Sequence, residues 1–317
     1  MKPWFPPTVS SVAVAAAGEA DNRVHRWPLT PRITRWLRTK GADARLAGFE
    51  ADRAALGVDV APDSRGDLVM SRQSAPEPEP GQDAWVLWVH GGGFCWGSAR
   101  DGTGLRLAAG LGRPVISVEY PLAPEARFPV AIEHCLAAYE AGVRERGPLV
   151  LLGGVSAGAN LALVVLQRIR ERRAHGDDLP LPLGVVALTP FGDLAGEGDS
   201  YHVNEGRDAY LRWRGQQERF ARAYAGRADL RDPLVSPVHA DWSGEALPPA
   251  IFTTGTRDLF LSDTARIHTA WRAAGGEADL VLAEGLWHSY LSDARLPESA
   301  ALMARLLDWC EELLARE

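Results

Sequence analysis

The sequence predicts an α/β fold built on a doubly wound, mostly parallel β-sheet. Short, continuous apolar runs alternate along the chain with longer segments whose apolar residues recur every three to four positions. The short runs are typical of strands buried on both faces, and the longer segments are typical of amphipathic helices. Strands that alternate with helices favour parallel pairing, because a helix can return the chain to the start of the next strand.

The elements are expected in the following order. Strands are predicted at residues 67–71, 85–89, 114–119, 149–152, 183–188, 250–254 and 279–283. Helices are predicted at residues 31–40, 46–56, 105–111, 130–145, 160–173, 212–224, 263–274 and 298–314. Residues 1–60 show helical patterning and no strand signal, and the proline-rich stretch 74–81 is expected to be a surface loop.

The composition argues against several classes of protein. With 317 residues and a net charge of −7, the chain has no basic stripe, so we expect no nucleic-acid partner. No apolar run approaches the length of a membrane span. The three cysteines and eight histidines lack the spacing of metal ligands, so we expect no metal. An odd number of cysteines suits a reducing compartment, and a cytoplasmic location is expected.

Residues 154–158, Gly-Val-Ser-Ala-Gly, lie between a predicted buried strand and a predicted helix. A strand that reverses at once into a helix needs small residues beside the pivot, and the pivot side chain, Ser156, is then exposed. Two other interpretations are a plain glycine-rich turn and a phosphate loop. The phosphate loop is disfavoured, because Ala159 and Asn160 stand where such loops have Lys and Ser or Thr.

The predicted strand 85–89 runs directly into His90, Gly91, Gly92 and Gly93. Consecutive glycines at a strand end are compatible with a flexible turn. They also let backbone amides approach a ligand closely, as the oxyanion hole of an acyl-transfer enzyme requires.

Ser156, Asp258 and His288 each follow a different predicted strand, in that chain order. Because ligands of open α/β sheets bind at the carboxyl ends of the strands, the three side chains are expected to meet there. The order serine, acid, histidine is that of the α/β-hydrolases. Asp263 is the alternative acid, but it opens the next predicted helix and is interpreted as an N-cap.

With these residues in view, the sequence resembles the hormone-sensitive-lipase-like branch of the α/β-hydrolases, and within it bacterial esterases and ε-lactone hydrolases. The resemblance covers roughly residues 80–315. It is carried by His90-Gly91-Gly92-Gly93-Phe94, Tyr120 with residues 122–125, residues 154–158 with 160–162, residues 232–237 and residues 255–258.

The resemblance implies a serine carboxylester hydrolase that acts on small uncharged esters or lactones without a cofactor. Ser156 would be the nucleophile, His288 the general base and acid, and Asp258 the residue that orients His288. The amides of Gly92, Gly93 and Ala157 would form the oxyanion hole, with His90 and Gly91 orienting that loop. An amidase or other acyl hydrolase, and a non-catalytic receptor on the same fold, are the alternatives.

Three positions depart from the family pattern. The family usually has Asp or Thr before the nucleophile, where this chain has Val155. Ser289 and Tyr290 follow His288, where the family has glycine and an aromatic residue. Ala159 replaces the second glycine after the nucleophile. No departure removes a catalytic atom, although each alters the local hydrogen-bond support.

The substrate pocket is predicted from aromatic residues near these motifs. The candidates are Phe94, Trp96, Phe191, Tyr210, Trp213 and Trp287, with Tyr120 as a weaker one. Cys95 beside the oxyanion loop either packs in the core or makes the enzyme thiol-sensitive. A homodimer is left open.

Two segments are predicted to form a helical cap over the crevice: residues 1–60, and an insertion at about 190–225 in the catalytic domain 61–317. The alternative for the N-terminal helices is that they pack on the back of the sheet and only stabilise it.

Overall fold

The fold is organised around one mostly parallel β-sheet. The computed structural model describes residues 5–19, 30–40, 42–73, 84–148 and 150–316. In this part of the chain the sheet has eight strands, in the spatial order β1-β2-β4-β3-β5-β6-β7-β8. They are β1 Val58–Pro62, β2 Leu68–Arg72, β3 Trp85–Val89, β4 Val115–Val118, β5 Val150–Val155, β6 Gly184–Leu188, β7 Ala250–Gly255 and β8 Ala278–Ala283. Strand β2 runs antiparallel to both β1 and β4, and the other neighbours are parallel.

Helices cover both faces of this sheet. In the described residues they are α1 Ser11–Glu19, α2 Pro31–Thr39, α3 Ala42–Leu56, α4 Gly102–Leu111, α5 Val130–Arg146, α6 Ala157–Ala174, α7 Ser200–Val203, α8 Glu218–Ala225, α9 Leu261–Ala273 and α10 Pro297–Leu314. Helices α5, α6 and α9 share one hydrophobic layer with alternate residues of β3, such as Leu87. Helices α4 and α10 share the opposite layer with the intervening residues, such as Trp88. The central strands are therefore buried on both faces, as their continuous apolar sequence predicts.

The register brings the carboxyl ends of the central strands to one edge. Val89 pairs with Gly154, Val155 pairs with Leu188, and Gly255 pairs with Ala283. The segments that follow β3, β5, β7 and β8 consequently leave the sheet side by side.

Most predicted elements are present with shifts of a few residues at their ends, and the doubly wound, mostly parallel α/β fold is confirmed. The N-terminal prediction is wrong in one respect, because residues 1–60 contain the start of strand β1 at Val58. Strand β1 is therefore the edge strand, and the predicted edge strand 67–71 corresponds to the interior strand β2. Only Val58 of β1 is buried, so the strand has too little apolar sequence to be recognised. The loop predicted at 74–81 lies outside the described residues.

The predicted helix at 212–224 is interrupted. Arg214 and Gly215 have non-helical backbone angles, with φ of +73° at Gly215, and helix α8 begins only at Glu218. A glycine adopts this left-handed conformation without steric cost, so it ends the helical pattern there.

Helix α1 and the residues before it pack beside the sheet. The Ser10 amide and hydroxyl donate to the Glu298 carboxylate at the start of α10, at 2.7 and 2.9 Å. Ala13 and Ala16 are buried in the layer that contains α4 and α10. None of the described helices is long and apolar enough to cross a membrane.

Candidate active site

The turn between β5 and α6 presents Ser156 at the carboxyl edge of the sheet. Ser156 has φ of +58° and ψ of −120°, a strained backbone conformation for a residue with a side chain. A side chain at Gly154 would clash with the backbone of Gly158, and one at Gly158 would clash with the carbonyls of Val89 and His90. The glycines are therefore required by close packing.

Three buried side chains form a hydrogen-bonded chain at this edge. His288 Nε2 lies 2.8 Å from the Ser156 Oγ, and His288 Nδ1 lies 3.0 Å from Asp258 Oδ1. The Thr254 hydroxyl donates to Asp258 Oδ2 at 3.0 Å, and the Phe260 amide donates to Asp258 Oδ1 at 2.8 Å. The structure thus brings together the three residues that the sequence singles out from three separate loops.

The glycine loop after β3 faces the same serine. Gly92 and Gly93 have φ of +110° and +58°, which only glycine adopts readily. Within the described chain, the amides of Gly92, Gly93 and Ala157 donate to no other protein group. Ala157 also begins the 18-residue helix α6, whose N-terminus favours negative charge. These amides can therefore stabilise an anion beside Ser156.

His90 is packed inside this loop. Its ring stacks on Tyr120 with centroids 4.2 Å apart, and the Tyr120 hydroxyl donates to the His90 carbonyl at 3.0 Å. Burial lowers the pKa of His90, so the imidazole is held in its neutral form. Its Nδ1 lies 2.8 Å from the carbonyl of Gly91, the residue that follows it in the loop. These contacts support the loop-orienting role predicted for His90 and Gly91.

A cavity of about 950 Å³ opens above Ser156. The apolar part of its wall includes Leu46 of α3, Leu122, Val155, and Leu211 and Phe220 of the insertion. Among the described residues, its wall also includes His90, His288, three arginines and three acids; the arginines and acids are Arg38, Arg45, Arg100, Asp43, Asp101 and Glu119. A smaller space of about 390 Å³ adjoins it at His288, Ser289 and Ser292.

Of the predicted pocket residues, Trp96 lines the larger cavity and Tyr210 lines the smaller one. The prediction is wrong for Phe94, Phe191, Trp213 and Trp287, which line neither. Their rings pack against other rings instead, with Phe94 stacked on Tyr224, Phe191 on Phe260, and Trp213 against Tyr201. Trp287 is buried against Tyr210, and the weaker candidate Tyr120 is buried on His90. Sequence position near a motif did not distinguish wall residues from core residues, because both are apolar.

Helix α2 is attached directly to the glycine loop. Arg38 Nε donates to the Cys95 carbonyl at 2.9 Å, and the Arg38 guanidinium pairs with Glu125 at 3.1 Å. The Cys95 thiol itself is buried, and burial raises its pKa to about 12. At neutral pH it is therefore protonated and poorly nucleophilic, which favours the packing interpretation of Cys95.

Two of the departures from the family pattern contact the cavity. Val155 is largely buried and forms part of the cavity wall, and Ser289, which also lines the cavity, has φ of +53°. The Ser289 and Thr189 hydroxyl oxygens lie 3.3 Å apart. Ser289, which stands where the family has glycine, is thus within hydrogen-bond distance of the Thr189 hydroxyl.

The N-cap prediction for Asp263 is wrong. Asp263 lies inside the first turn of α9, and its Oδ2 accepts hydrogen bonds from the amides of Gly192 and Asp193 and from the Tyr201 hydroxyl. It is a buried anchor for the insertion rather than a cap, since its partners come from a loop 70 residues away in sequence.

Two buried polar residues of the insertion were not foreseen. Asp208 and Asn204 contact the loops that carry Asp258 and His288. They lie in an irregular segment, and no motif or periodicity in the sequence distinguishes them from surface loop residues.

One group of potential metal ligands is present in the described chain, formed by Asp193, Glu197 and His239 within 4.8 Å. Arg266 already pairs with Asp193, and Arg231 pairs with Glu197. We interpret the group as an ion-pair network, because the two guanidinium groups compensate the carboxylates.

A family profile described as alpha/beta hydrolase fold matches residues 86–292, more than half of the chain. The chain belongs to the alpha/beta hydrolase fold family. The matched region spans the glycine loop, Ser156, Asp258 and His288, so the family assignment and the site geometry concern the same part of the molecule.

Individual alpha/beta hydrolases support this assignment. An acetyl-hydrolase of Streptomyces hygroscopicus is 33% identical over 238 residues, which cover 73% of this chain and 76% of that protein. The crystal structure of an esterase E25 matches with a TM-score of 0.84 at 28% identity, over 98% of this chain and 97% of the other. An esterase from the bacterial hormone-sensitive lipase family matches with a TM-score of 0.73 at 29% identity, over 81% and 85% of the two chains. The predicted resemblance to the hormone-sensitive-lipase branch is confirmed.

Proposed function

We propose that Ser156, His288 and Asp258 carry out ester hydrolysis in this chain through an acyl-enzyme intermediate. The chain is a carboxylesterase, in agreement with the esterases and the acetyl-hydrolase that it resembles. The observation that carries the proposal is the pair of hydrogen bonds that joins the Ser156 hydroxyl to His288 and His288 to Asp258.

In the first half of the reaction, Ser156 Oγ attacks the ester carbonyl while His288 Nε2 accepts its proton. The negative oxygen of the tetrahedral intermediate would accept hydrogen bonds from the amides of Gly92, Gly93 and Ala157. Collapse of the intermediate breaks the bond to the alcohol oxygen, which takes the proton from His288. Asp258 keeps the imidazole oriented and stabilises its cation.

In the second half, a water molecule loses a proton to His288 and attacks the acyl carbonyl. The proton then returns to Ser156 Oγ as the carboxylic acid leaves. A lactone follows the same steps, except that its alcohol oxygen stays attached to the acyl group.

The cavity supports a small, uncharged substrate. Among the described residues of its wall, three arginines are matched by three acids, so this part of the wall has no excess charge that would select an ion. Apolar residues near Ser156, such as Leu211 and Phe220, suit an acyl or alcohol chain. The two spaces that meet at His288 suit the two sides of an ester, and the name of the Streptomyces relative favours short acyl groups.

A fluorophosphonate probe and p-nitrophenyl esters of increasing acyl length test this function. We expect covalent labelling at Ser156 and hydrolysis that falls with acyl length. Ser156→Ala should abolish labelling and lower kcat by about 10⁴-fold or more at an unchanged melting temperature. Absence of labelling in the wild type would instead favour a ligand-binding receptor, and kcat of Ser156→Ala within tenfold of wild type would reject this nucleophile.

A further inference from the structure

A second buried carboxylate lies beside Asp258 and His288. Asp208 belongs to the insertion between β6 and β7 and is almost completely buried. Its Oδ1 accepts hydrogen bonds from the amides of Tyr210 and Leu211, at 2.9 and 3.0 Å. Its Oδ2 accepts from the amides of Leu259 at 3.0 Å and His288 at 3.2 Å. One oxygen atom thus joins the residue after Asp258 to the backbone of His288 itself.

Asn204 reinforces this contact from the same segment. It is also buried, and its Nδ2 donates to the carbonyls of Thr256 at 3.2 Å and Asp258 at 2.8 Å. The Asp208 amide in turn donates to the Asn204 carbonyl at 3.2 Å, which closes one turn of chain between the two residues. Together they hold the backbone around Asp258 and the backbone of His288.

We propose that Asn204 and Asp208 are positioning residues, which clamp the loops carrying Asp258 and His288 to the insertion and to each other. This role rests on the proposed function of those residues. Asp258 and His288 are 30 positions apart and follow different strands, so contacts between their two loops set their separation. The Arg257 amide donates to the Leu286 carbonyl at 2.9 Å, and the proposed clamp adds a second link that reaches the His288 backbone itself. Misplacement of a catalytic group by about 1 Å can lower the rate by about 10²-fold, which is the scale of the effect that such a clamp prevents.

The chemistry of this position requires a carboxylate. Four amide donors converge on one side chain, and an ionised Asp offers two oxygens with lone pairs for all of them. The charge is costly here, because burial and the nearby Asp258 raise the pKa of Asp208 to about 6. His288 and the amides of Leu211 and Leu259 act in the opposite direction. A neutral side chain would avoid the cost but would leave buried amides unpaired.

Asp208→Asn is the direct test, because the amide keeps the shape and removes one acceptor oxygen. We expect kcat to fall by about 10- to 100-fold with KM changed by less than about threefold, since the loss concerns the geometry of the reacting groups. Asn204→Ala should give a smaller fall, about 5- to 10-fold. Asp193→Asn is the matched control: it is buried in the same insertion and accepts from three backbone amides, those of Ala195, Gly196 and Glu197.

The pH profile separates positioning from a general loss of stability. Protonation of Asp208 near pH 6 removes acceptor capacity from the clamp, so in the wild type this proton contributes to the acidic fall of kcat. Asp208→Asn lacks that titrating proton, so its kcat should fall less steeply than that of wild type as the pH is lowered. The charged or titratable groups around Asp208 are Asp258 and His288 from the neighbouring loops, and Tyr210 and Arg212 from its own segment.

Several outcomes would overturn the clamp. It is rejected if folded Asp208→Asn and Asn204→Ala keep kcat within twofold of wild type. It is also rejected if Asp193→Asn loses as much kcat as Asp208→Asn does. A third contradicting result is a kcat of Asp208→Asn that falls with decreasing pH as steeply as that of wild type. Should Asp208→Asn not fold, Asn204→Ala decides by the same kcat criterion. Fluorophosphonate labelling distinguishes the two proposals. A wild-type protein that is not labelled rejects the proposed ester hydrolysis. Equal labelling rates of wild type and variants reject only the clamp.

Discussion

Strained residues gather at the carboxyl edge of the sheet. Ser156, Thr189 and Ser289 have φ of +58°, +44° and +53°, although none is glycine. Conformations of this kind cost about 1–3 kcal/mol each and persist only where the surroundings hold them. Here the hydrogen bonds of the Ser156 and Thr189 amides to neighbouring strands provide that support. Ser156 and Ser289 line the cavity, whereas Thr189 is buried beside Ser289. Folding of the sheet compensates the cost of the strain.

The assignment of the acid is tested by a pair of substitutions. Asp258→Asn should lower kcat by about 10⁴-fold at nearly unchanged melting temperature, because the amide no longer holds His288 in the required tautomer. Asp263→Asn is the control, since Asp263 contacts Gly192, Asp193 and Tyr201 rather than His288. It should alter the melting temperature and change kcat by only a few-fold. Steady-state kinetics with a short p-nitrophenyl ester and thermal unfolding would measure both, and a reversed pattern would assign the acid to Asp263.

At the scale of elements, the cavity is closed by two parts of the chain that lie far apart in sequence. Helices α2 and α3 contribute Arg38, Arg45 and Leu46, and the insertion contributes Leu211 and Phe220. Arg38 links α2 to the glycine loop through the Cys95 carbonyl. That helices α2 and α3 and the insertion form a cap that limits the size of the substrate therefore stays a prediction, which these wall contacts favour.

Helix α3 offers a test of this cap. Leu46→Trp adds bulk at the cavity wall, so KM for long acyl chains should rise several-fold while acetate esters are hardly affected. Leu56→Trp is the matched control, because Leu56 is another exposed leucine of the same helix and does not line the cavity. Equal acyl-length profiles for Leu46→Trp and wild type would show that α3 does not limit the substrate.

At the scale of the whole molecule, the described N-terminal residues fall into two groups that contact different parts of the protein. Residues 5–19 do not line the cavity; they pack where strands β7 and β8 end. The Phe5 ring lies 3.8 Å from the guanidinium of Arg257, the residue before Asp258, and the Thr8 hydroxyl donates to Glu284 at 2.9 Å. For this segment the stabilising interpretation is favoured, whereas α2 and α3 fit the cap interpretation.

Removal of residues 1–19 distinguishes the two roles. Burial of one side chain such as Val9 contributes about 1.5–3 kcal/mol, so the truncated protein should be less stable by at least about 2 kcal/mol. For a chain of this size that corresponds to a fall of at least about 3 °C in melting temperature. The acyl-length profile should stay the same. A changed profile at an unchanged melting temperature would place this segment in the cap instead.

The sequence alone determined the alternation of strands and helices, the positions of the central strands, and the three residues Ser156, Asp258 and His288. Continuous apolar runs and glycine-rich turns are local signals, and they suffice for elements that are buried on every side. The family resemblance added the expected amides of Gly92, Gly93 and Ala157. The homodimer and the cytoplasmic location stay predictions.

Only the tertiary structure decided which apolar residues face the cavity and which polar residues support the site. Phe94 and Trp96 are equally aromatic and two positions apart, yet Phe94 stacks on Tyr224 while Trp96 lines the wall. Asp208 and Asn204 act through contacts with backbone groups 50 to 80 residues away. Such contacts arise from the packing of an irregular loop against strand ends, and hydrogen bonds to a distant backbone leave no periodicity or motif in the sequence.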